Sequence, residues 1–246
     1  MNVVGILFDV NGTMIDILTD EGKEDIYRTI ACFLAYQGVY VPWPVLRDAY
    51  FQRMDAQRRK RGGSHPEFDA VGIWEELIDS YADTMRISKA KRGQLPQVLT
   101  EMYRALSRIH LGLYADVQRV LDELSGRYRL GVVSDGQSAW ALPELKETGI
   151  ARYFDPIVVS GDFGFRKPDR RLFEAALHRM RLKAEHVIFV GNDMYRDVYG
   201  ARRVGMKTVF FRSNQGRQEM EGVEPDYIIY RFRELLDAVA FFERNQ

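Results

Sequence analysis

The feature that most constrains this chain is a regular change of hydrophobic period over its second half. Five short, β-branched runs, at 129–134, 156–160, 186–190, 207–211 and 226–230, alternate with stretches whose apolar residues recur every three or four positions. The first pattern reads as buried strands and the second as amphipathic helices, at 115–127, 138–148, 169–180, 195–204 and 231–244. Strands joined through helices pair in parallel, in a sheet covered on both faces. Right-handed crossovers then bring the C-terminal ends of the strands to one edge.

One more apolar run, 3–8, opens the chain. Beyond it the period changes. Helical periodicity covers 20–37, 45–61, 69–85 and 88–109, and no convincing strand pattern stands between Thr13 and His110. The predicted organisation is therefore an α/β, Rossmann-like core of residues 1–16 and 112–246, with an α-helical cap of residues 17–111 inserted after the first strand.

The predicted strand ends carry polar chemistry. The first ends in Asp9, then Asn11 and Gly12. The second ends in Ser134, the third leads to Lys167, and the fourth to Asn192 and Asp193, with Asp197 one helical turn on. In open α/β sheets such residues converge on a crevice at the carboxyl edge. Together they make a coherent set: a carboxylate that can attack, a hydroxyl that can hold an anionic oxygen, and a lysine that can neutralise developing charge. Further carboxylates suit a hard divalent cation. The bland readings are that Asp9 caps the next helix and that Asp193 caps the helix beginning near Tyr195.

Four motifs in this order, F-D-V-N-G-T, V-V-S-D-G, R-K-P-D and V-G-N-D-M-Y-R-D, resemble those of the haloacid dehalogenase-like hydrolase superfamily. The resemblance covers about 3–13 and 114–230. It implies a Rossmann-like core with a helical cap between the first two motifs. It also implies that Asp9 is the nucleophile, Ser134 the hydroxyl holding a phosphoryl group and Lys167 the motif lysine. Mg2+ would be held by Asp9, the Asn11 backbone carbonyl and a fourth-motif acid, Asp193 or Asp197.

Two positions depart from the family's phosphatase pattern. Asn11 stands where a second aspartate protonates the leaving group and then activates water. An amide exchanges no proton usefully near neutral pH, and that help is commonly worth about 10²–10⁴ in rate. Asn192 stands where many members carry the first acid of the fourth motif. The first departure favours a dehalogenase, whose leaving halide needs no proton. The acids that remain favour a metal-using, phosphoryl-handling enzyme. The leading expectation is a Mg2+-dependent phosphatase of a small phosphorylated metabolite, acting through an aspartyl-phosphate intermediate. The alternatives are a 2-haloacid dehalogenase and a catalytically attenuated member that binds a ligand or a protein partner.

Composition bounds the rest. Lys plus Arg and Asp plus Glu number 35 each, so the chain lacks the basic excess of a duplex nucleic-acid binder. No apolar run approaches a membrane span and no signal peptide is visible, so the expected location is the cytoplasm, with a small molecule rather than nucleic acid or membrane as partner. The single cysteine, Cys32, excludes an intrachain disulfide and reads as buried core filler beside Ile30, Phe33 and Leu34. The aromatic residues crowding the helical insertion read mostly as its core, with one or two left to line the crevice. The basic run Arg58, Arg59, Lys60 and Arg61 reads as a solvated helix end.

Overall fold

The structure is a computed structural model that describes residues 1–82 and 87–244. The chain begins with β1 (Gly5–Phe8) and β2 (Ile15–Thr19). The helices α1 (Glu24–Tyr36), α2 (Trp43–Arg61), α3 (Ala70–Tyr81) and α4 (Lys89–Ser107) come next, then β3 (Arg108–Leu113). The second half runs α5 (Val117–Ser125), β4 (Arg129–Ser134), α6 (Ser138–Glu147), β5 (Ile157–Val159), α7 (Arg170–Met180) and β6 (Val187–Gly191). A π-helical turn, Met194–Tyr199, leads into the short α8 (Gly200–Arg202), β7 (Lys207–Phe211), β8 (Tyr227–Ile229) and α9 (Leu235–Arg244). The part of the expected third helix at 83–85 lies outside the described residues.

The main sheet has the order β5-β4-β1-β6-β7-β8, and every pair in it is parallel. This is the expected α/β core. β1 is central, with Phe8 opposite Val132 on one side and Val190 on the other. The chain first builds outward from β1 through β4 and β5, then returns to its other side through β6, β7 and β8. The strand order thus reverses at β1, where ligands bind in such sheets. Two layers of side chains cover the sheet. One joins Ile6 and Phe8 to Val120, Leu121 and Phe232; the other joins Leu7 to Phe173, Phe189 and Met206.

The four inserted helices bury a core of their own around Tyr27, Tyr50, Trp74 and Tyr103, with the Tyr50 ring 4.9 Å from Trp74 and 4.7 Å from Tyr103. The aromatic crowding is therefore mostly packing, as expected.

Three details differ from the sequence reading. The insertion is bracketed by a two-stranded antiparallel ribbon, β2 with β3, pairing Ile15 with Leu113 and Ile17 with Leu111. Each strand is short, and its partner lies almost the whole insertion away, so neither run carries a local hairpin signal. Cys32 is exposed. The inward face of α1 is Ile26, Tyr27, Ile30 and Leu34, and a residue two places beyond Ile30 is turned roughly 200° from it. The expected helix at 195–204 is a π-helical turn followed by one turn of α-helix. Among the described residues no helix is long and apolar enough to cross a membrane.

Candidate active site

Asp9 leaves β1 with its backbone N–H donating to the Val190 carbonyl at 2.9 Å, so the sheet ladder still holds it where its side chain turns into the crevice. The carboxylate is buried, at 6% exposure. Lys167 Nζ donates to Asp9 Oδ1 at 2.6 Å and to Asp197 Oδ1 at 2.6 Å. Thr13 Oγ lies 2.9 Å from Asp9 Oδ2 and 3.1 Å from the Asn192 side-chain oxygen. Thr13 belongs to the turn after β1, where Gly12 takes φ +82°; a Cβ on Gly12 would stand 2.3 Å from Asn192 Nδ2. That turn must be glycine for Asn192 to approach the first strand so closely.

Asp197 packs under the end of β6. Its Oδ2 accepts the backbone N–H groups of Asn192 and Asp193, each at 3.0 Å. A Cβ on Gly191 would lie 2.5 Å from that carboxylate, so the last strand residue has no side chain. Burial pushes the Asp197 carboxyl up, to about 7, against the opposing pull of the Lys167 ammonium. For Lys167 burial works against the ammonium, but Asp197, Asp9 and Asp135 outweigh it and hold the amine above its ordinary value. The lysine is a fixed cation.

Asp193 has another place. Its Oδ1 accepts the N–H groups of Tyr195 and Arg196, and its Oδ2 accepts Arg196 Nε at 3.0 Å and Arg217 N at 3.1 Å. Burial opposes ionisation here too, yet these hydrogen bonds and the Arg196 charge hold the carboxyl below its ordinary range. Asp193 thus caps the π-helical turn, as the bland reading had it. Asn192, the neighbour that departs from the family pattern, is the one lining the cavity.

The cavity measures about 290 Å³, near the lower end of the roughly 300–1,000 Å³ of small-molecule pockets. Of the residues singled out from sequence, Asp9, Asn11, Lys167, Asn192 and Asp197 line it. Ser134 is buried at the end of β4 with its Oγ 3.3 Å from the Asp135 carbonyl, and Asp135 and Gly136 form the wall instead.

The helical insertion reaches the cavity through a bridge that carries no local sequence signal. Pro66 pairs with Phe165 as an isolated antiparallel bridge; Glu67 N donates to Gly164 O at 3.0 Å and Arg166 N to His65 O at 2.9 Å. This stitches the cap loop to the core loop that carries Lys167. It also places Glu67 and Phe68 in the cavity wall beside Trp140. Glu67 is 1% exposed and accepts Ser160 Oγ–H at 2.7 Å. Gln137 completes the seam, donating to Phe68 O at 2.9 Å and accepting Ala70 N–H at 3.1 Å. The basic run ends α2; its Arg58 guanidinium stacks 4.9 Å from the Phe68 ring centroid, and Arg59, Lys60 and Arg61 are exposed.

Among the described residues no group of three His, Cys, Asp or Glu side chains is placed to hold a metal ion. Glu67, Asp135 and Asp197 line the cavity too, with both Asp197 oxygens held by Lys167 and backbone N–H groups; beside the end of the first strand the donors are the Asp9 carboxylate and two amides, Asn11 and Asn192, and the Asn11 side-chain oxygen is buried without a partner. All are hard oxygen donors. They fit one Mg2+ that keeps several of its waters, with a single charged protein ligand.

A buried carboxylate paired with a lysine, at the carboxyl edge where the strand order reverses and under a helical insertion, is the arrangement of a hydrolase with a Rossmann-like core. The chain belongs to the haloacid dehalogenase-like hydrolases, whose family profile matches residues 73–211. It is 30% identical to the pyrophosphatase PpaX of Bacillus velezensis over 95% of this chain and 95% of that protein. It is 39% identical to the glyceraldehyde 3-phosphate phosphatase of Methanothermobacter thermautotrophicus, a match that spans 43% of this chain and 46% of that enzyme. In fold it is similar to a 2-haloacid dehalogenase from Pseudomonas syringae, with a TM-score of 0.69 at 19% identity over 98% of this chain and 99% of that one.

Proposed function

We propose that this protein is a phosphatase of a small phosphorylated metabolite, with Asp9 as nucleophile and residues 17–111 acting as the cap over the site. The observation that carries this reading is the pairing of Asp9 with Lys167 and, through it, with Asp197. Lys167 draws charge from Asp9 while the substrate is absent. It stands ready to neutralise a phosphoryl oxygen as Asp9 attacks.

Attack by Asp9 on phosphorus forms the acyl phosphate and breaks the ester P–O bond. Water then adds to the phosphorus of that intermediate and releases inorganic phosphate and the free carboxylate. Thr13 holds the nucleophile through Oδ2, leaving Oδ1 on the Lys167 side to be exchanged for substrate. Asp197 fixes Lys167 from behind, and Asp193 fixes the loop that presents Asn192. Mg2+, when bound by Asp9, Asn11 and Asn192, supplies further neutralisation of the phosphoryl charge. In this arrangement Asp193 and Asp197 support the site rather than bind the metal. Asn11 cannot give the leaving oxygen a proton, so departure draws on solvent or favours a leaving group of low basicity.

The test is turnover of a panel of phosphate esters and anhydrides by wild type and Asp9→Asn, with Mg2+ and with chelator. Mg2+-stimulated release of phosphate that vanishes in Asp9→Asn is expected. In the same panel Asn11→Asp should raise turnover of alkyl esters more than of aryl esters, because it returns an acid that only poor leaving groups need. Chelator-insensitive halide release from a 2-haloacid, with no phosphate released from any ester, would replace this reading with the dehalogenase one.

A further inference from the structure

Away from Asp9, the cavity wall carries ion pairs that make no direct hydrogen bond. Asp135 Oδ1 accepts the Lys167 backbone N–H at 2.8 Å, but Oδ2 is buried and has no hydrogen-bond partner. The side chain is only 9% exposed. Arg166 Nε stands 3.9 Å from that oxygen and 3.8 Å from Glu67 Oε2, and it too is buried without a partner. Arg196 NH1 lies 3.9 Å from the same Asp135 oxygen. All four residues line the one cavity.

These gaps are too long for direct hydrogen bonds, and the groups on either side of them differ in kind. Each gap has an N–H donor on one side and a carboxylate acceptor on the other. A group that fits must accept from a guanidinium and donate to a carboxylate at once. A hydroxyl does both; a carboxylate or phosphate can only accept. Charge points the same way. Arg166 and Arg196 stand against Glu67 and Asp135 within this wall, so it carries no net positive charge to attract a second anion. Phe68 and Trp140 add apolar surface that suits the C–H faces of a small carbon skeleton.

We propose that Asp135, Arg166, Arg196 and Glu67 form a hydroxyl-reading subsite, so that the substrate is a short phosphorylated polyol or sugar with hydroxyls adjacent to the ester. This rests on the phosphatase reading above and deepens it. The phosphate end meets Asp9 and Lys167, and the hydroxyls bridge the gaps between the arginines and the two carboxylates. The bridge between Arg166 Nε and Asp135 Oδ2 satisfies a buried donor and a buried acceptor that are otherwise unpaired, and leaving such groups unpaired is what rejects an analogue lacking the hydroxyl.

Asp135→Asn is the sharpest probe. The asparagine oxygen keeps accepting the Lys167 N–H, while Oδ2 is replaced by an N–H donor that faces the arginines. Binding is read by calorimetry on Asp9→Asn, which prevents turnover, using glycerol 3-phosphate, propyl phosphate and 2-phosphoglycolate. Glycerol 3-phosphate is expected to bind about 10- to 100-fold more tightly than propyl phosphate, and more tightly than 2-phosphoglycolate. In Asp9→Asn/Asp135→Asn that preference should shrink to within about threefold. The preference is a ratio within one protein, so a general loss of affinity does not imitate its collapse. Equal affinity for the glycerol and propyl esters, or a preference that survives Asp135→Asn, would overturn the subsite. A preference for 2-phosphoglycolate would overturn it in favour of a second-anion site. Failure of the phosphatase reading shows separately, as absence of Asp9-dependent phosphate release by the wild type.

Discussion

Replacing Lys167 with methionine tests the electrostatic centre of the site. The ammonium is 2.6 Å from both Asp9 and Asp197, and all three side chains are at most 8% exposed. Methionine keeps most of the volume and removes the charge. Two buried carboxylates then face each other with no cation between them. Breaking a buried pair in this way costs about 3–5 kcal/mol, a large fraction of a typical stability of about 5–15 kcal/mol. The cost depends on pH, and the sign is set by linkage. Burial already raises the Asp197 carboxyl to about 7 with Lys167 opposing the shift, so removing Lys167 raises it further. Above the variant's new value both carboxylates are ionised and the full penalty stands. As pH falls through that value the folded variant takes up a proton that its unfolded chain, with an ordinary carboxyl near 3.9, does not. The penalty relative to wild type therefore shrinks, by at most about 1.4 kcal/mol per pH unit. It levels off near pH 7, where wild-type Asp197 begins to take up the same proton. The lysine's own contribution stays nearly constant over this window, because its ordinary value of about 10.4 and its raised folded value both lie above it. Urea unfolding followed by far-UV circular dichroism, in EDTA so that no divalent cation substitutes, would read this at pH 9.5 and pH 7. A penalty of about 3–5 kcal/mol at pH 9.5 that falls by at least about 1 kcal/mol at pH 7 is expected, with partial recovery in Lys167→Met/Asp197→Asn. A penalty below about 1 kcal/mol at pH 9.5, or one flat across the window, would refute the buried three-group arrangement.

Thr13→Val removes the hydroxyl that lies 2.9 Å from Asp9 Oδ2 while keeping the side-chain shape; kcat should fall about tenfold or more, with stability down about 1–2 kcal/mol in urea. Asn192→Asp adds a second charged oxygen donor beside Asp9, so Mg2+ titrated calorimetrically into the protein should bind more tightly than in wild type; unchanged or weaker binding would remove Asn192 from the metal's surroundings. Gln137→Ala deletes both hydrogen bonds between core and cap at Phe68 and Ala70; thermal unfolding should show a loss of about 1–3 kcal/mol, and KM should rise more than kcat falls because the Glu67–Phe68 wall loosens.

Much of this site is legible from sequence because strand ends announce themselves. A β-branched run followed by Asp9 or by Asn192 marks a sheet edge, and parallel pairing brings those edges together whatever the loop lengths. What the pattern does not carry is register within a loop. Asn192 and Asp193 are one residue apart, and periodicity cannot tell which of them faces the crevice. Helix-cap chemistry can: an aspartate immediately before a helical turn has two backbone N–H groups to satisfy, and Asp193 satisfies them at 2.8 and 3.0 Å. The helical insertion's contribution was legible only as one or two aromatic residues left to line the crevice, without saying which. Glu67 and Phe68 enter the cavity only because Pro66 pairs with Phe165, a contact between distant segments with no local signature.

The two departures from the family's acidic pattern also take on a common meaning in the structure. Asn11 and Asn192 lie far apart in the chain but line the same cavity, and Thr13 links the second of them to Asp9. Aspartates at both positions would add two carboxylates to a cavity in which Asp9, Asp135 and Asp197 already act on one lysine. Amides at both leave Asp9 and Asp197 to share Lys167, and a substrate phosphate then meets less repulsion on entry. On this account the pair lowers dependence on the metal and on residue 11 together. Restoring one acid alone should therefore change less than restoring both, and in Asn11→Asp/Asn192→Asp phosphate release should become steeply dependent on added Mg2+.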